Sequence, residues 1–269
     1  MGGLGDFLLA CPALQRLMAA GPVELLGRRE RLQLGVDAGF AVKAHHMDDV
    51  GFDTLFTTPS DGLRAFLGRF SRVIVWMRDA VPLGQAIHAC GVPEVHVFPG
   101  LPQEDWGGHA SEYYLRCLGL NEGPSLQLNV APAAEPHDVL VHPGSGGRHK
   151  NWPMMNFIKL EMELAKRARR VTWCLGPAEE RFRVPAGARC VRPVSLSDAA
   201  RELAAARVYV GNDSGITHLA AAVGCSTMAL FGPTDPAVWA PRGGNVTVLR
   251  GEPWPEVEDV LAEVLRVAA

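Results

Sequence analysis

The segment of this chain best suited to hold an anion is Val210-Gly211-Asn212-Asp213-Ser214-Gly215-Ile216-Thr217-His218-Leu219. An apolar run ends there, small polar residues make a tight turn, and an Ala-rich helical stretch follows at once. This order predicts that the backbone amides of Ser214, Gly215, Ile216, Thr217 and His218 lie at a helix N-terminus. Such an end carries about half a positive charge and suits phosphate. Asp213 repels phosphate and is better suited to bind hydroxyl groups, as on a sugar. Asp213 and Ser214 could equally serve as helix caps. A second segment, His142-Pro143-Gly144-Ser145-Gly146-Gly147-Arg148-His149-Lys150-Asn151-Trp152-Pro153, also follows an apolar run. Its glycines let backbone approach a ligand, and Lys150 offers an ammonium to phosphate. It is neither a Walker loop nor a GxGxxG turn, and could also be a basic surface turn. In the third, Gly2-Gly3-Leu4-Gly5-Asp6-Phe7, Asp6 is either a helix-start cap or a general base.

Two weaker segments add carboxylates and a turn. In Gly176-Pro177-Ala178-Glu179-Glu180 an acidic side chain could accept hydrogen bonds from ribose hydroxyls, or simply open a helix. Phe231-Gly232-Pro233-Thr234-Asp235-Pro236 reads as a rigid loop near the same sheet edge. His142, between Val141 and Pro143, reads as structural, whereas His218 could help line the phosphate site.

The elements that position these residues alternate between short apolar runs and helical stretches. Strands are expected at Val23–Leu26, Val73–Trp76, Val139–His142, Val171–Leu175, Val208–Val210 and Thr227–Phe231. Helices are expected over Phe7–Ala20 (kinked at Pro12), Leu63–Phe70, Ser111–Leu118, Ser195–Ala206 and Ile216–Val223, with another opening at Trp152-Pro153. The last should bury Met154, Phe157, Ile158, Leu164 and Ala165. Alternation of this kind means parallel sheets covered on both faces. The proline-bearing stretch Ala131–Pro136 reads as a linker, giving an α/β chain of two Rossmann-like domains, 1–131 and 137–269, facing a cleft.

Composition narrows the function classes. The chain has 269 residues, 48% of them hydrophobic and 20% charged. At roughly 150 residues per domain, that length suggests two domains or one large one. A net charge of −3 argues against a nucleic-acid binder. No apolar run reaches the roughly 20 residues of a membrane span, and Met1–Asp6 lacks a signal-peptide pattern. Six scattered cysteines, without CxxC or histidine at ligand spacing, point to a reduced cytosol and to no structural metal. The first half carries −4 and the second +1, which mildly favours the second as the anion binder.

Five motifs occur in one order: Gly-Leu-Gly-Asp-Phe-Leu-Leu, His-Pro-Gly-Ser with Lys-Asn-Trp-Pro, Gly-Pro-Ala-Glu-Glu, Gly-Asn-Asp-Ser-Gly-Ile-Thr-His-Leu-Ala, and Phe-Gly-Pro-Thr-Asp-Pro. Together they resemble the glycosyltransferase family 9 proteins, the ADP-heptose:lipopolysaccharide heptosyltransferases. The resemblance is dense over 139–242 and thin over 21–130. It implies a GT-B fold, an N-terminal domain for the acceptor, a C-terminal domain for the nucleotide-sugar, and an inverting transfer without metal or cofactor. It further implies that Asp6 is the base. Lys150, Ser145 and the Ser214–His218 amides would hold the donor phosphates, and Asp213 the sugar. Glu179 or Glu180 would meet the ribose, with Val194 and Leu196 bordering the adenine. The implied partners are an ADP-sugar and a lipopolysaccharide-core-like glycan, in the cytoplasm and in contact with the inner membrane face. Members of the family usually open with an apolar strand before the Gly-rich turn, so the N-terminal sheet is expected to lack its central strand. A nucleotide-sugar epimerase of similar fold, or a binding protein without activity, are the alternatives. An NAD-linked dehydrogenase carries little weight without GxGxxG.

Overall fold

A computed structural model describes residues 2–77, 81–176, 179, 180 and 182–268. The chain forms two compact units, one made of Met1–Gly2 with Ala10–Gly123, the other of Gly3–Leu9 with Pro124–Ala269. The expected linker at Ala131–Pro136 therefore falls inside the second unit. Ala133 N–H bonds to the Arg201 carbonyl within that stretch, and just before it Leu128 N–H bonds to the Ala222 carbonyl.

The second unit is a six-stranded parallel sheet. Its strands are β5 (His137–His142), β6 (Val171–Cys174), β7 (Arg189–Val191), β8 (Ala206–Asn212), β9 (Ser226–Phe231) and β10 (Val246–Arg250). They lie in the order β10-β9-β8-β5-β6-β7. Helices α6 (Met154–Ala165), α7 (Leu196–Ala204), α8 (Gly215–Ala222), α9 (Pro236–Trp239) and α10 (Val257–Ala268) connect or follow the strands. The runs Val139-Leu140-Val141 and Val208-Tyr209-Val210 are buried throughout, as parallel strands covered on both faces require. On one face Val139, Val141, Val208 and Val210 join Phe157, Leu160 and Leu164 of α6 and Val260 and Val264 of α10 in a single core. The stripe of α6 is thus 157-160-164, with Met154 and Ile158 of the expected set partly buried against the same core. Ala165, expected inside, is exposed because it lies about 100° around the helix from Leu164. Ser195 caps α7 by accepting the Asp198 amide, as its spacing predicts.

One feature of this order places the site. The chain passes from β5 outward through β6 and β7, then returns to β8 on the other side of β5. Connections from adjacent strands diverge at such a reversal, and open α/β sheets bind ligands in the crevice beyond the strand ends there. His142 of β5 pairs in register with Gly211 of β8. The two glycine-bearing segments singled out above leave the sheet at these neighbouring ends.

The first unit begins its described strands with β1 (Glu24–Gly27) and β2 (Lys43–His46), a parallel pair, and adds a second parallel pair, β3 (Arg72–Trp76) and β4 (Glu94–Phe98). Among the described residues no strand joins the two pairs. Helices α2 (Arg29–Asp37), α3 (Asp61–Leu67), α4 (Val81–Ala89) and α5 (Ala110–Cys117) accompany them. Leu63, Leu67, Leu83 and Ile87 form their core, with Leu26, Val73 and Val75 packed against it. Helix α1 (Leu4–Ala20) runs through Pro12 without interruption. Its first residues belong to the second unit. No described helix is long and apolar enough to cross a membrane.

Candidate functional site

The start of α8 is built as the sequence predicts. Ser214 is extended, and its hydroxyl accepts the Thr217 amide. The Thr217 and His218 amides also reach the Ser214 carbonyl. These two donors are therefore occupied, and both residues are buried. The amides of Gly215 and Ile216, the first two of the helix, have no intrahelical acceptor by geometry and belong to half-buried residues. Of the five amides expected to hold an anion, those of Thr217 and His218 are thus taken, which leaves Ser214 and the two half-buried helix residues Gly215 and Ile216.

A second helix start rests on it. A Cβ built on Gly215 would lie 2.6 Å from Leu4 Cβ and 2.8 Å from the Gly5 nitrogen. One built on Gly5 would lie 3.5 Å from His218 Cδ2 and 3.6 Å from Gly215 Cα. Glycine at 215 is needed for this approach, since the obstructing atoms are backbone or fixed to it. Two positive helix ends consequently share one small region. Asp6 stands one residue beyond the contact, and its Oδ2 accepts the Gly3 N–H at 2.6 Å. This is the carboxylate half of a capping box, which leaves the second oxygen for another partner.

The remaining charges close the region. Lys150 ends a short 3-10 turn, Arg148–Lys150, and its Nζ lies 2.9 Å from Asp213 Oδ2. The lysine side chain is 25% exposed and the aspartate 8%. The cation assigned to phosphate and the carboxylate assigned to sugar are therefore ion-paired with each other. Ser145 Oγ instead bonds within its own loop, lying 2.7 Å from the Gly147 carbonyl oxygen and 2.5 Å from Asn151 Oδ1.

Glu179 and Glu180 separate cleanly. Glu179 is buried, and its Oε2 accepts the Gly176 amide at 2.9 Å. Its Oε1 lies 4.0 Å from Nε2 of the buried His142 at the end of β5. A Cβ on Gly144 would overlap this carboxylate, which explains the glycine two residues after that histidine. Glu180 is exposed, Val194 is 92% exposed, and Leu196 is the half-buried first residue of α7. Among the described residues no hydrogen bond or ion pair ties these three to Lys150, Asp213 or the α8 start. Pro177 and Ala178 of the same motif lie outside the described residues.

Sequence reasoning missed Asn212. It is fully buried, accepts the Trp152 amide at 2.8 Å and donates from Nδ2 to the Pro143 carbonyl at 2.9 Å. One side chain thereby fastens the β5 loop to the β8 turn and fixes Lys150 beside Asp213. The available signal was an asparagine between a buried strand and a helix cap, where an amide must find partners. Burial pushes the thiols of Cys174 and Cys225 up to about 12, so neither suits a nucleophile at neutral pH.

The close approach at Gly215 has a measurable consequence. Gly215→Ala should lower stability by about 1–3 kcal/mol, as overpacking does. Gly5→Ala, whose added methyl meets only ordinary contacts, should be much milder in a denaturant midpoint. Equal midpoints for the two variants would mean that the start of α1 does not rest on α8.

The comparisons with known proteins agree with one another. Residues 118–263 match the model of glycosyltransferase family 9 (heptosyltransferase), more than half of the chain. A lipopolysaccharide heptosyltransferase 1 from Pseudomonas aeruginosa is 37% identical over 116 residues, 41% of this chain and 32% of that protein. The Salmonella typhimurium protein of the same name is 30% identical over 150 residues, 50% of this chain and 47% of its own length. The chain thus matches 32–47% of the length of these relatives. Among solved structures, the ADP-heptose lipopolysaccharide heptosyltransferase II of E. coli superposes with a TM-score of 0.79 at 19% identity, covering 100% of this chain and 96% of that one. At that identity the likeness establishes the fold, which is GT-B.

Proposed function

Because the chain belongs to glycosyltransferase family 9, we propose that it transfers heptose from an ADP-sugar to a lipopolysaccharide-core-like acceptor, with inversion and without a metal. The observation that carries this reading is the meeting of two helix starts beside Asp6 and the Lys150–Asp213 pair. Displacement at an anomeric carbon needs a base on one side and a stabilised leaving group on the other. On the leaving-group side, the Gly215 and Ile216 amides and the Lys150 ammonium would meet the diphosphate charge that builds as the sugar–oxygen bond breaks. Fixed donors of this kind act without reorganising during the reaction. On the other side, the free oxygen of Asp6 takes the acceptor hydroxyl's proton as the new glycosidic bond forms.

Donor arrival also re-partners a cation. Lys150 leaves Asp213 for the diphosphate, and Asp213, relieved of its ion pair, turns to the sugar hydroxyls. The buried Glu179, rather than the exposed Glu180, accepts from the ribose. Val194 and Leu196 border the adenine, the exposed valine offering it an apolar edge. Acceptor recognition falls to the first unit. Such chemistry belongs in the cytoplasm at the inner face of the inner membrane, where a lipid-linked acceptor would be met. An epimerase or a binding protein without activity is not favoured, since the family and the curated relatives are heptosyltransferases by name.

The test has two readings. Melting temperature should rise with ADP more than with UDP or GDP at equal concentration, since a ligand stabilises in proportion to its affinity for the folded state. Mass spectrometry should then show heptose passing from ADP-heptose to a heptose-less core acceptor. A preference for UDP, or ADP binding without transfer, would overturn the donor or the enzymatic part of the proposal respectively.

A further inference from the structure

At the carboxyl end of β5, His142 and Glu179 form a pair whose hydrogen-bonding is incomplete. His142 Nδ1 lies 2.9 Å from the Cys174 carbonyl oxygen. A carbonyl only accepts, so Nδ1 carries the hydrogen, and in the neutral ring Nε2 is left as a lone-pair acceptor. Burial lowers the pKa of His142 from its ordinary value, overcoming the opposing pull of Glu179, so the ring is neutral near pH 7. Nε2 therefore presents a lone pair toward Glu179 Oε1, 4.0 Å away. Glu179 Oε2 is engaged by the Gly176 amide. Neither Nε2 nor Oε1 has a hydrogen-bond donor among the described residues. Both side chains keep only 6% of their surface exposed.

Two acceptors facing each other across that distance call for donors between them. A single hydroxyl has one hydrogen and satisfies only one of the two. A cis-diol brings two hydroxyls on adjacent carbons, roughly one hydrogen-bond length apart, and can donate once to each acceptor. The charged carboxylate makes the stronger of the two bonds. A primary amine or a pair of waters would also supply hydrogens; the position at the sheet's switch point, where open α/β sheets bind nucleotides, favours the diol.

We propose that His142 Nε2 is the second acceptor of a cis-diol site, taking one hydroxyl of the donor's ribose while Glu179 Oε1 takes the other. This rests on the reading above in which Glu179 meets the ribose, and it assigns a specificity-determining role to a histidine that the sequence alone presents as structural. The site selects ribonucleotides. A deoxynucleotide leaves one buried acceptor without a partner, and sites built to bond a hydroxyl reject analogues that lack it strongly. The neutral ring is part of the device, because a protonated Nε2 would bond to Glu179 and close the pair.

The experiment compares ADP, 2′-deoxy-ADP, 3′-deoxy-ADP and 2′,3′-dideoxy-ADP by calorimetric titration of the intact chain, His142→Phe and Glu179→Gln. The unaltered chain is expected to bind ADP at least tenfold more tightly than dideoxy-ADP, and His142→Phe to lose the preference against one monodeoxy analogue while keeping it against the other. His142→Phe also removes the bond to the Cys174 carbonyl and could misfold. A second measurement therefore uses unaltered protein with ¹⁵N-labelled histidine, where ADP should shift the His142 Nε2 resonance and dideoxy-ADP should not. If the unaltered chain discriminates but neither His142→Phe nor the resonance responds, His142 is not an acceptor and the ribose role of Glu179 stands. If the unaltered chain binds ADP and dideoxy-ADP alike, the ribose reading of Glu179 fails, and this assignment with it.

Discussion

Asp6→Asn should lower turnover by roughly 10²–10⁴-fold, the usual contribution of a general base, with ADP binding as tightly as before. The geometry makes the two effects separable. One carboxylate oxygen accepts the Gly3 amide, and the proposed mechanism uses the other to take the acceptor's proton. Asparagine can keep an oxygen on the Gly3 amide, so the helix start and its contact with Gly215 survive. Its amide nitrogen cannot take up a proton. The change therefore isolates chemistry from architecture, which Asp6→Ala would not. Loss of turnover with unchanged ADP affinity and melting temperature identifies the base. An asparagine variant that turns over normally removes Asp6 from that role and leaves it as a cap.

The second large effect is expected at Lys150. Removing one preorganised donor to developing charge costs about 2.7–4 kcal/mol, or ~10²–10³ in rate. Lys150→Ala should fall in this range, and ADP affinity should fall too, because the diphosphate is present in the ground state. The ion pair adds a twist. Without the lysine, the 8%-exposed Asp213 carboxylate is left facing the diphosphate with no cation between them. Part of the loss is then repulsion rather than missing attraction. A double variant, Lys150→Ala with Asp213→Asn, should bind ADP more tightly than Lys150→Ala alone. If the double variant binds ADP no better, Asp213 and the diphosphate do not share Lys150.

What the sequence discloses and what it conceals follow from the range of the interactions involved. β5, β8 and β9 are legible because strands buried on both faces are continuous apolar runs. The cap at Ser195 and the turn into α8 are legible because their hydrogen bonds span three residues. Strands β2, Lys43-Ala-His-His, and β4, Glu94-Val-His-Val-Phe, escape notice, since half-exposed strands carry polar residues and show no run. Helix α10 did have a signal, the stripe Val257, Val260, Leu261, Val264 and Ala268 at helical spacing. The candidate site divides in the same way. Residue types at 6, 145, 150, 179 and 213–218 were recognisable as motifs. The grouping of Gly3–Leu9 with the second unit depends on a contact more than two hundred residues apart. So do the pairing of Lys150 with Asp213, the clamp at Asn212 and the inward turn of Glu179. No local pattern encodes these, because each depends on which strand ends the sheet order makes neighbours.

That sheet order also accounts for how few groups the proposed site draws together. The β5 and β8 ends bring one lysine, one buried asparagine and one helix start together at the reversal, and α1 adds the second helix start and its carboxylate. A structure of the chain with ADP tests this most directly. Diphosphate oxygens should lie about 3 Å from the Gly215 and Ile216 amides, with Lys150 Nζ moved from Asp213 to the phosphate. A diphosphate bound elsewhere, or one bound while Lys150 remains on Asp213 and Leu4 covers the α8 start, would contradict the account.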